Sequence, residues 1–366
     1  MTDIVAERMA RLRAKMAETG TGLVAIAPGS HMQWLVGFYP HPDERPCLLL
    51  VAADKAGFLM PALNADAARQ DSDLPMFTWA DADGPDAALA DALSELFADR
   101  AGRVVLDETM RADFALLLLD ALPGIERAFT EDTVGQLRSM KDEAEFRKLK
   151  RSALLNDEAM KAAWAGIKPG MTEKEVARIV SDHFAANGAR VQFSIVGANE
   201  NGAHPHHATS DRVLREGDAV VLDIGGRIGG YPSDMTRMAI VGEAPEGYGQ
   251  IHSIVEKAVQ AALAAAKPGV PAKAVDKAAR DVIDAAGYGE FFVHRTGHGL
   301  GIDVHEPPYI TATSETILEE GMVFSIEPGI YLPGRFGIRL EDIVIMRADG
   351  PEILSELPRD AFVVRV

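Results

Sequence analysis

Cysteine is nearly absent from the chain, which has only Cys47 among 366 residues. A single cysteine excludes an intramolecular disulfide and a thiolate metal cluster, so a bound metal would use oxygen and imidazole ligands. Long apolar runs are absent too: none approaches the roughly 20 residues that span a bilayer, and the charged N-terminus lacks the apolar segment of a signal peptide. We therefore expect a cytoplasmic protein that does not bind membranes.

Positive charge is scarce, because 37 Lys and Arg residues face 55 Asp and Glu residues, which gives a formal net charge of -18. A chain this acidic disfavours non-specific binding to nucleic acid or anionic lipid, so neither is expected as a partner. With 47% hydrophobic residues, the chain has the composition of a globular protein. Its length favours two domains over one.

Short apolar runs alternate with helical stretches over residues 1–135, which predicts an N-terminal α/β domain. The runs interpreted as strands are GLVAIA, MQWLVGF, CLLLVAA, GFLMPAL and RVVLDE. Residues 136–167 carry a charged helical pattern, and we expect a helix there that leads into a second domain, residues 136–366. The predicted fold class is therefore α/β, or α+β, with two domains.

The second domain contains an internal repeat. Residues 168–188 align without gaps to residues 267–287 at an offset of 99, and eight of the 21 aligned residues are identical. Each copy has a Lys-Pro-Gly turn between two helical patterns, and Thr172 and Glu175 have the spacing of a capping box. Two copies indicate two halves packed about a pseudo-twofold axis, with chance recurrence in an Ala-rich chain as the alternative.

Each half also contains a predicted hairpin with two carboxylates. A turn centred between residues 228 and 229 would place Asp223 directly opposite Asp234, and Glu327 and Glu341 are symmetric about residue 334. They are either surface charges or, if the pseudo-twofold axis joins the hairpins, four converging carboxylates. Two divalent cations would neutralise four such charges, and oxygen ligands with one imidazole suit Mn, Co, Zn or Fe(II). A binuclear centre of this kind carries out hydrolysis.

Histidines near these hairpins provide the imidazole. His298 lies between two glycines, which permit a close approach of the backbone, and it has no histidine partner at the repeat offset. His206 and His305 are related by the offset of 99, so we expect them on opposite sides of the metals as hydrogen-bond donors to substrate. His298 is then the predicted metal ligand. The neighbouring His204 and His207 are interpreted as solvated loop residues.

The motifs LDIGG, SDMTR, TGHGLG, VHEPP, SIEPGIY and RLED, in that order, resemble the pita-bread metallohydrolases, the superfamily of methionine aminopeptidase, aminopeptidase P and prolidase. The resemblance covers roughly residues 190–345 and fills all five ligand positions. The preceding domain resembles the N-terminal domain of prolidase, aminopeptidase P and creatinase, which methionine aminopeptidases lack. A creatinase-like α/β domain followed by a pseudo-twofold pita-bread catalytic domain is therefore implied.

The resemblance also implies a role for each ligand. Asp223 would bind one metal ion, and His298 and Glu327 would bind the other. Asp234 and Glu341 would bridge both ions. The resemblance implies two divalent ions, with manganese foremost and cobalt, zinc or iron as alternatives.

Four residues receive further roles by the same resemblance. Glu327 would pass a proton from water to the leaving amine, and His206 would stabilise the tetrahedral intermediate. His305 would contact substrate near the scissile bond. Arg339, which shares a strand face with Glu341, would support the ligands by hydrogen bonding.

The implied reaction is hydrolysis of the bond before proline in small peptides by a homodimeric metallopeptidase. The short N-terminal domain favours a prolidase-like Xaa-Pro dipeptidase over an aminopeptidase P acting on longer peptides. The same residues also allow a hydrolase of this fold with a non-peptide C–N substrate, a non-catalytic binding module or an acidic structural protein. Five residues could line the cleft and set specificity, or could simply pack within the N-terminal domain: Trp34, Phe38, Tyr39, His41 and Arg45.

Overall fold

The computed structural model describes residues 3–97 and 102–366. The chain separates into two compact units, Met1–Arg138 and Ser139–Val366. Within the described ranges, no helix is both long enough and apolar enough to cross a bilayer.

The first unit is a six-stranded sheet with helices between its strands. The strands lie in the order β4-β3-β2-β1-β5-β6; β2 runs antiparallel to its neighbours β1 and β3, and β1, β5 and β6 are parallel. The elements are α1 (Asp3–Glu18), β1 (Thr21–Ile26), α2 (Ser30–Val36), β2 (Leu48–Ala52), β3 (Ala56–Pro61), α3 (Ala62–Ala68), β4 (Met76–Trp79), α4 (Asp86–Phe97), β5 (Arg103–Leu106), α5 (Ala112–Asp120), β6 (Glu126–Phe129) and α6 (Val134–Ser139). Four of the five predicted strands are confirmed, but MQWLVGF forms helix α2 and ends at Gly37 in the left-handed conformation.

The proposed specificity residues of this unit have different surroundings. Trp34 is 1% exposed and packs beside Arg8, whose guanidinium lies 4.6 Å from the indole ring centroid. Arg45 forms two hydrogen bonds to Asp81. Phe38 is half-buried against Phe58, whereas Tyr39 and His41 are exposed. Three of the five are therefore held by contacts within the unit.

The predicted helix over residues 136–167 is interrupted. Helix α6 ends at Ser139, and α7 begins at Glu143 after a capping box formed by Asp142 and Glu145. Because the Asp142 carboxylate accepts the Glu145 N–H, the chain starts a new helix there instead of extending the first one. The single-helix prediction was wrong at this point.

The second unit consists of two similar halves. The elements are α7 (Glu143–Gly166), α8 (Glu173–Ala186), β7 (Arg190–Ala198), β8 (Ala219–Ile228), β9 (Tyr231–Pro232), β10 (Met235–Val241), α9 (Tyr248–Ala265), α10 (Ala272–Ala285), β11 (Gly297–Gly299), β12 (Glu306–Ile310), β13 (Val323–Ile326), β14 (Gly329–Leu332), β15 (Phe336–Arg339), β16 (Asp342–Arg347), β17 (Gly350–Ile353) and β18 (Phe362–Val364). One sheet has the order β18-β10-β8-β7, the other β12-β11-β13-β16-β17, and β14 pairs with β15. Helices α7 and α8 pack on the first sheet, and α9 and α10 pack on the second.

Main-chain contacts repeat between the halves, as the sequence repeat predicts. The Gly170 N–H donates to Leu214 O at 2.9 Å, and the Gly269 N–H donates to Leu318 O at 2.8 Å. The two glycines are 99 residues apart and belong to the two Lys-Pro-Gly turns. Chance recurrence of the turn does not account for matching partners, so the two-half architecture is confirmed.

The first hairpin has a different register from the predicted one. Gly229 and Gly230 form the turn, both with positive φ, as a two-residue hairpin turn requires. The turn therefore lies one residue later than expected, and Asp223 pairs with Thr236 instead of with Asp234. Asp234 lies two residues before Thr236, the partner of Asp223. The two aspartates are therefore diagonal neighbours across the hairpin.

The second hairpin has the predicted register. Ile326 pairs with Asp342, and Gly329 pairs with Arg339, on either side of the two glutamates. Both pairs are symmetric about residue 334, so Glu327 lies opposite Glu341. The main chain of both glutamates lies just outside the strands, which frees it from regular ladder hydrogen bonds.

Candidate metal centre

Five predicted ligands meet where the two hairpins come together. Oxygens of Asp223, Asp234 and Glu341 lie within 4.8 Å of one another, and so do ligand atoms of His298, Glu327 and Glu341. Glu341 belongs to both groups. All five side chains are buried or nearly so, with Glu327 the most accessible at 14% side-chain exposure.

The imidazole of His298 faces the carboxylates with an unprotonated nitrogen. Its Nδ1–H donates to Gly299 O at 3.1 Å, which leaves the lone pair on Nε2. Nε2 lies 3.3 Å from Glu327 Oε1 and 3.6 Å from Asp234 Oδ2. Burial lowers the pKa of His298 to about 3, so the ring is neutral and these contacts are not ion pairs. A lone pair facing carboxylate oxygens is stable when a cation lies between them.

The carboxylates themselves also fit cations. Asp223 Oδ2 accepts from Arg339 and Glu341 Oε2 accepts from Thr236, but Asp223 Oδ1 and Glu341 Oε1 have no hydrogen-bond partner among the described residues. Burial, together with the neighbouring carboxylates, raises the pKa of Asp234 and of Glu341 well above the usual range. Burial and mutual repulsion destabilise the ionised form of these carboxylates. A divalent cation would neutralise the charge and give the unpartnered oxygens a ligand role.

Two hydroxyl groups that the sequence interpretation missed fix the orientation of the ligands. Ser325 Oγ accepts from the His298 N–H at 2.9 Å and donates to Glu327 Oε1 at 3.0 Å. Thr236 Oγ1 accepts from Arg339 Nε at 3.0 Å and donates to Glu341 Oε2 at 2.7 Å. Each hydroxyl is two residues from a predicted ligand along an extended segment, a period-two signal that could have identified both.

Replacing Thr236 with valine is expected to weaken binding of Mn²⁺ about 10-fold to 100-fold, because Glu341 loses the donor that orients it. Valine keeps the shape of threonine, and Thr236→Ser, which keeps the hydroxyl, is the control. Titration of the metal-free variants with Mn²⁺ measures the effect. Equal affinities for the valine variant and the wild type would show that this hydroxyl does not orient Glu341.

The five predicted ligands line a cavity of about 700 Å³. Both predicted substrate histidines, His206 and His305, are exposed residues that line it, and the buried Arg339 lines it as well. The His305 ring contacts the His298 ring with centroids 4.1 Å apart. The cavity wall also contains residues that the sequence interpretation did not identify: Gln192, Phe193, Ile195, Pro205, His294, Arg295 and Val304.

The two histidines interpreted as loop residues differ. His204 is exposed, as predicted. His207 is largely buried, and its Nε2 contacts Glu173 Oε2 at 2.8 Å. Glu173 is fully buried and needs hydrogen-bond partners, so His207 completes an interior network and the prediction of a solvated side chain was wrong.

Family models and similar proteins match both units of the chain. Residues 147–348 match the model of metallopeptidase family M24, and residues 8–140 match the creatinase/prolidase N-terminal domain. A Mycobacterium tuberculosis protein named "Probable dipeptidase PepE" is 40% identical over 100% of this chain and 98% of its own. The crystal structure of dipeptidase PepE from Mycobacterium ulcerans matches with a TM-score of 0.94 and 38% identity, covering 99% of this chain and 98% of that one. A prolidase structure from Thermococcus sibiricus matches with a TM-score of 0.90 and 34% identity over 100% of both chains.

The fold and the site together define a metal-dependent hydrolase with a pita-bread catalytic domain. The family match covers more than half of the chain, and the relatives align along its whole length. The chain therefore belongs to metallopeptidase family M24.

Proposed function

We propose that the protein is an Xaa-Pro dipeptidase with two divalent ions, manganese foremost, held by Asp223, Asp234, His298, Glu327 and Glu341. The observation that carries the proposal is the pair of ligand groups that share Glu341. Two ions with a common carboxylate ligand fit such overlapping groups, and they would give partners to Asp223 Oδ1 and Glu341 Oε1, which have none among the described residues. Relatives named dipeptidase or prolidase support the substrate class.

Divalent ions at this site would act as Lewis acids and lower the pKa of water to near neutrality. Glu327 accepts the proton of the attacking water and returns it to the proline nitrogen as the peptide bond breaks. Burial raises the pKa of Glu327 to about 7, which suits a group that both accepts and donates a proton near neutral pH. His206 donates a hydrogen bond to the developing oxyanion, and His305 holds the substrate next to His298.

The charges on the cavity wall favour a dipeptide over a longer peptide. Arg339 is 3% exposed, and four of its five N–H groups already donate, to Asp223, Thr236, Tyr331 and the Pro205 carbonyl. The Arg295 guanidinium lies 4.9 Å from the ring centroid of Tyr309 and has no hydrogen-bond acceptor in the described part of the chain. Arg295 is thus the cation available to bind a free carboxylate in the cavity. In an Xaa-Pro dipeptide, the proline that follows the scissile bond carries this carboxylate.

The Arg295→Met variant is expected to raise the KM for Ala-Pro about 10-fold to 100-fold, which corresponds to the loss of one charge-assisted hydrogen bond. Its KM for Ala-Pro amide should change little, because the amide offers no carboxylate. Steady-state kinetics on the two substrates measure the difference. Equal losses on both would assign Arg295 a role other than carboxylate recognition.

An aminopeptidase P that cleaves longer Xaa-Pro peptides is the second candidate, because the cavity is open and large enough for a third residue. Assays of the Mn²⁺-loaded protein on Ala-Pro, Ala-Pro-Ala, Ala-Ala and a panel of non-peptide amides separate the candidates. Turnover of Ala-Pro above all others is expected. Preference for Ala-Pro-Ala would instead indicate aminopeptidase P, and turnover of the amides alone would indicate a non-peptide hydrolase.

We also propose that the protein acts as a homodimer in the cytoplasm, on the resemblance to dimeric prolidases. Light scattering during size-exclusion chromatography measures the mass in solution. A mass of a single chain would contradict the dimer.

A further inference from the structure

Arg237 is the largest charged side chain that is completely buried in the second unit, with no exposed surface. All five of its N–H groups have acceptors, of which four are main-chain oxygens. The acceptors are Pro358 O for Nε (2.9 Å), Thr236 O (3.1 Å) and Glu341 O (2.5 Å) for Nη1, and Leu357 O (3.0 Å) and Asp342 Oδ1 (2.6 Å) for Nη2. Among the side chains, only the planar guanidinium of arginine has the five N–H donors that these acceptors require.

The contact with Glu341 matters because this ligand lies between two strands. Strand β15 ends at Arg339 and β16 begins at Asp342, so the intervening main chain lacks regular ladder partners. The Glu341 N–H donates to Thr236 O at 3.2 Å, and the Glu341 carbonyl accepts from Arg237. The main chain of Glu341 is therefore held on both sides by two consecutive residues of β10, the strand that follows Asp234.

The same guanidinium joins the C-terminal segment to this point. The carbonyl oxygens of Leu357 and Pro358 accept hydrogen bonds from Arg237. The segment is anchored as well by Arg359, which bonds Asp342 Oδ2 at 2.7 Å and Glu256 through two further contacts. Arg237 and Arg359 thus share Asp342, but Arg237 alone of the two contacts the Glu341 main chain.

We infer that Arg237 is a positioning residue of the metal centre, which fixes the distance between Asp234 and Glu341 through the Glu341 main chain. The inference rests on the metal centre proposed above. Both bridging carboxylates need a defined separation to share two ions, and a buried guanidinium sets it without touching metal or substrate. The second hairpin is thereby connected to the first by main-chain contacts as well as by side-chain ones.

The test compares Arg237→Met with Arg359→Met in the full-length protein. Both variants remove an arginine from Asp342, but only the first removes the donor to Glu341. Titration of the metal-free chains with Mn²⁺, followed by the loss of the free Mn²⁺ electron paramagnetic resonance signal, measures affinity without reference to activity. Thermal unfolding of the metal-free chains reports the loss of stability in each, and Arg237→Lys, which keeps the charge, serves if the methionine variant does not fold.

Arg237→Met is expected to bind at least one Mn²⁺ about 100-fold more weakly than the wild type, and Arg237→Lys is expected to lie between them. Arg359→Met should bind Mn²⁺ within about threefold of the wild type, even if its unfolding temperature falls. Wild-type affinity in a folded Arg237 variant, or an equal loss in Arg359→Met, would overturn the inference. Failure of the wild type itself to bind Mn²⁺ would instead overturn the metal centre.

Discussion

Replacing Asp234 with asparagine is expected to lower the hydrolysis of Ala-Pro at least about 1,000-fold. Lewis-acid stabilisation by metal ions contributes several kcal/mol to such reactions, and each 1.36 kcal/mol is a factor of ten in rate. Asp234 belongs to the group of Asp223 and Glu341, and its Oδ2 also lies 3.6 Å from His298 Nε2, so its loss should affect both ions. Mn²⁺ content and turnover, measured on the same samples, are expected to fall together.

The same substitution should stabilise the metal-free protein. Burial, followed by the charge of Glu341, raises the pKa of Asp234 above the value of 3.8 that it has in an unfolded chain. A carboxyl whose pKa is higher in the folded state destabilises that state as pH rises above 3.8, because the unfolded chain then ionises more easily. Asparagine carries no charge, so the unfolding temperature of the metal-free variant should exceed that of the wild type at pH 7 and approach it near pH 3.

Asp281→Asn is the matched control. Asp281 is an exposed helix residue that pairs with Lys277, so the same chemical change there should leave metal content and turnover unaltered. An Asp234→Asn variant that retains both metal content and turnover would refute the proposed ligand set. A metal-free variant that is less stable than the wild type at pH 7 would show that the carboxylates do not repel each other there.

Glu327→Gln is expected to lower kcat about 100-fold to 10,000-fold, the usual contribution of general acid–base catalysis. Glutamine has nearly the same size and can still accept from Ser325 Oγ, which lies 3.0 Å from Glu327 Oε1. The group of Asp223, Asp234 and Glu341 is untouched, so most of the Mn²⁺ should remain bound. The signature of this variant is therefore a loss of kcat that is larger than its loss of metal.

Single-turnover kinetics at saturating Mn²⁺ separate these effects. A rate within about tenfold of the wild type would exclude Glu327 as the proton acceptor. A complete loss of Mn²⁺ would make Glu327 a ligand without an independent catalytic role.

Symmetry in the sequence predicted the parts of the site that repeat. The offset of 99 between the Lys-Pro-Gly turns indicated two halves, and residue 334 located the second hairpin with its two glutamates. The first hairpin was placed one residue early, because the symmetry of two aspartates does not determine which residues form the turn. The consecutive glycines at 229 and 230, both of positive φ, determine it, and a preference for a two-residue glycine turn would have given the right register.

Contacts between distant segments could not be predicted from the sequence. Arg295 lies three residues before His298, yet its availability depends on what surrounds its side chain in the cavity. Arg237 bonds residues 104 to 121 positions further along the chain, and no local pattern indicates which carbonyls a buried guanidinium will meet. Trp34 was proposed either to line the cleft or to pack within the N-terminal domain, and its burial is decided by the packing of α2.

Titration of the metal-free protein with Mn²⁺, with bound metal and Ala-Pro hydrolysis measured in each sample, tests the central claim most directly. We predict no turnover without metal and maximal turnover as bound Mn²⁺ reaches about two ions per chain, as a binuclear centre requires. Full turnover in the absence of divalent metal, or two bound ions without hydrolysis of Ala-Pro, would contradict it.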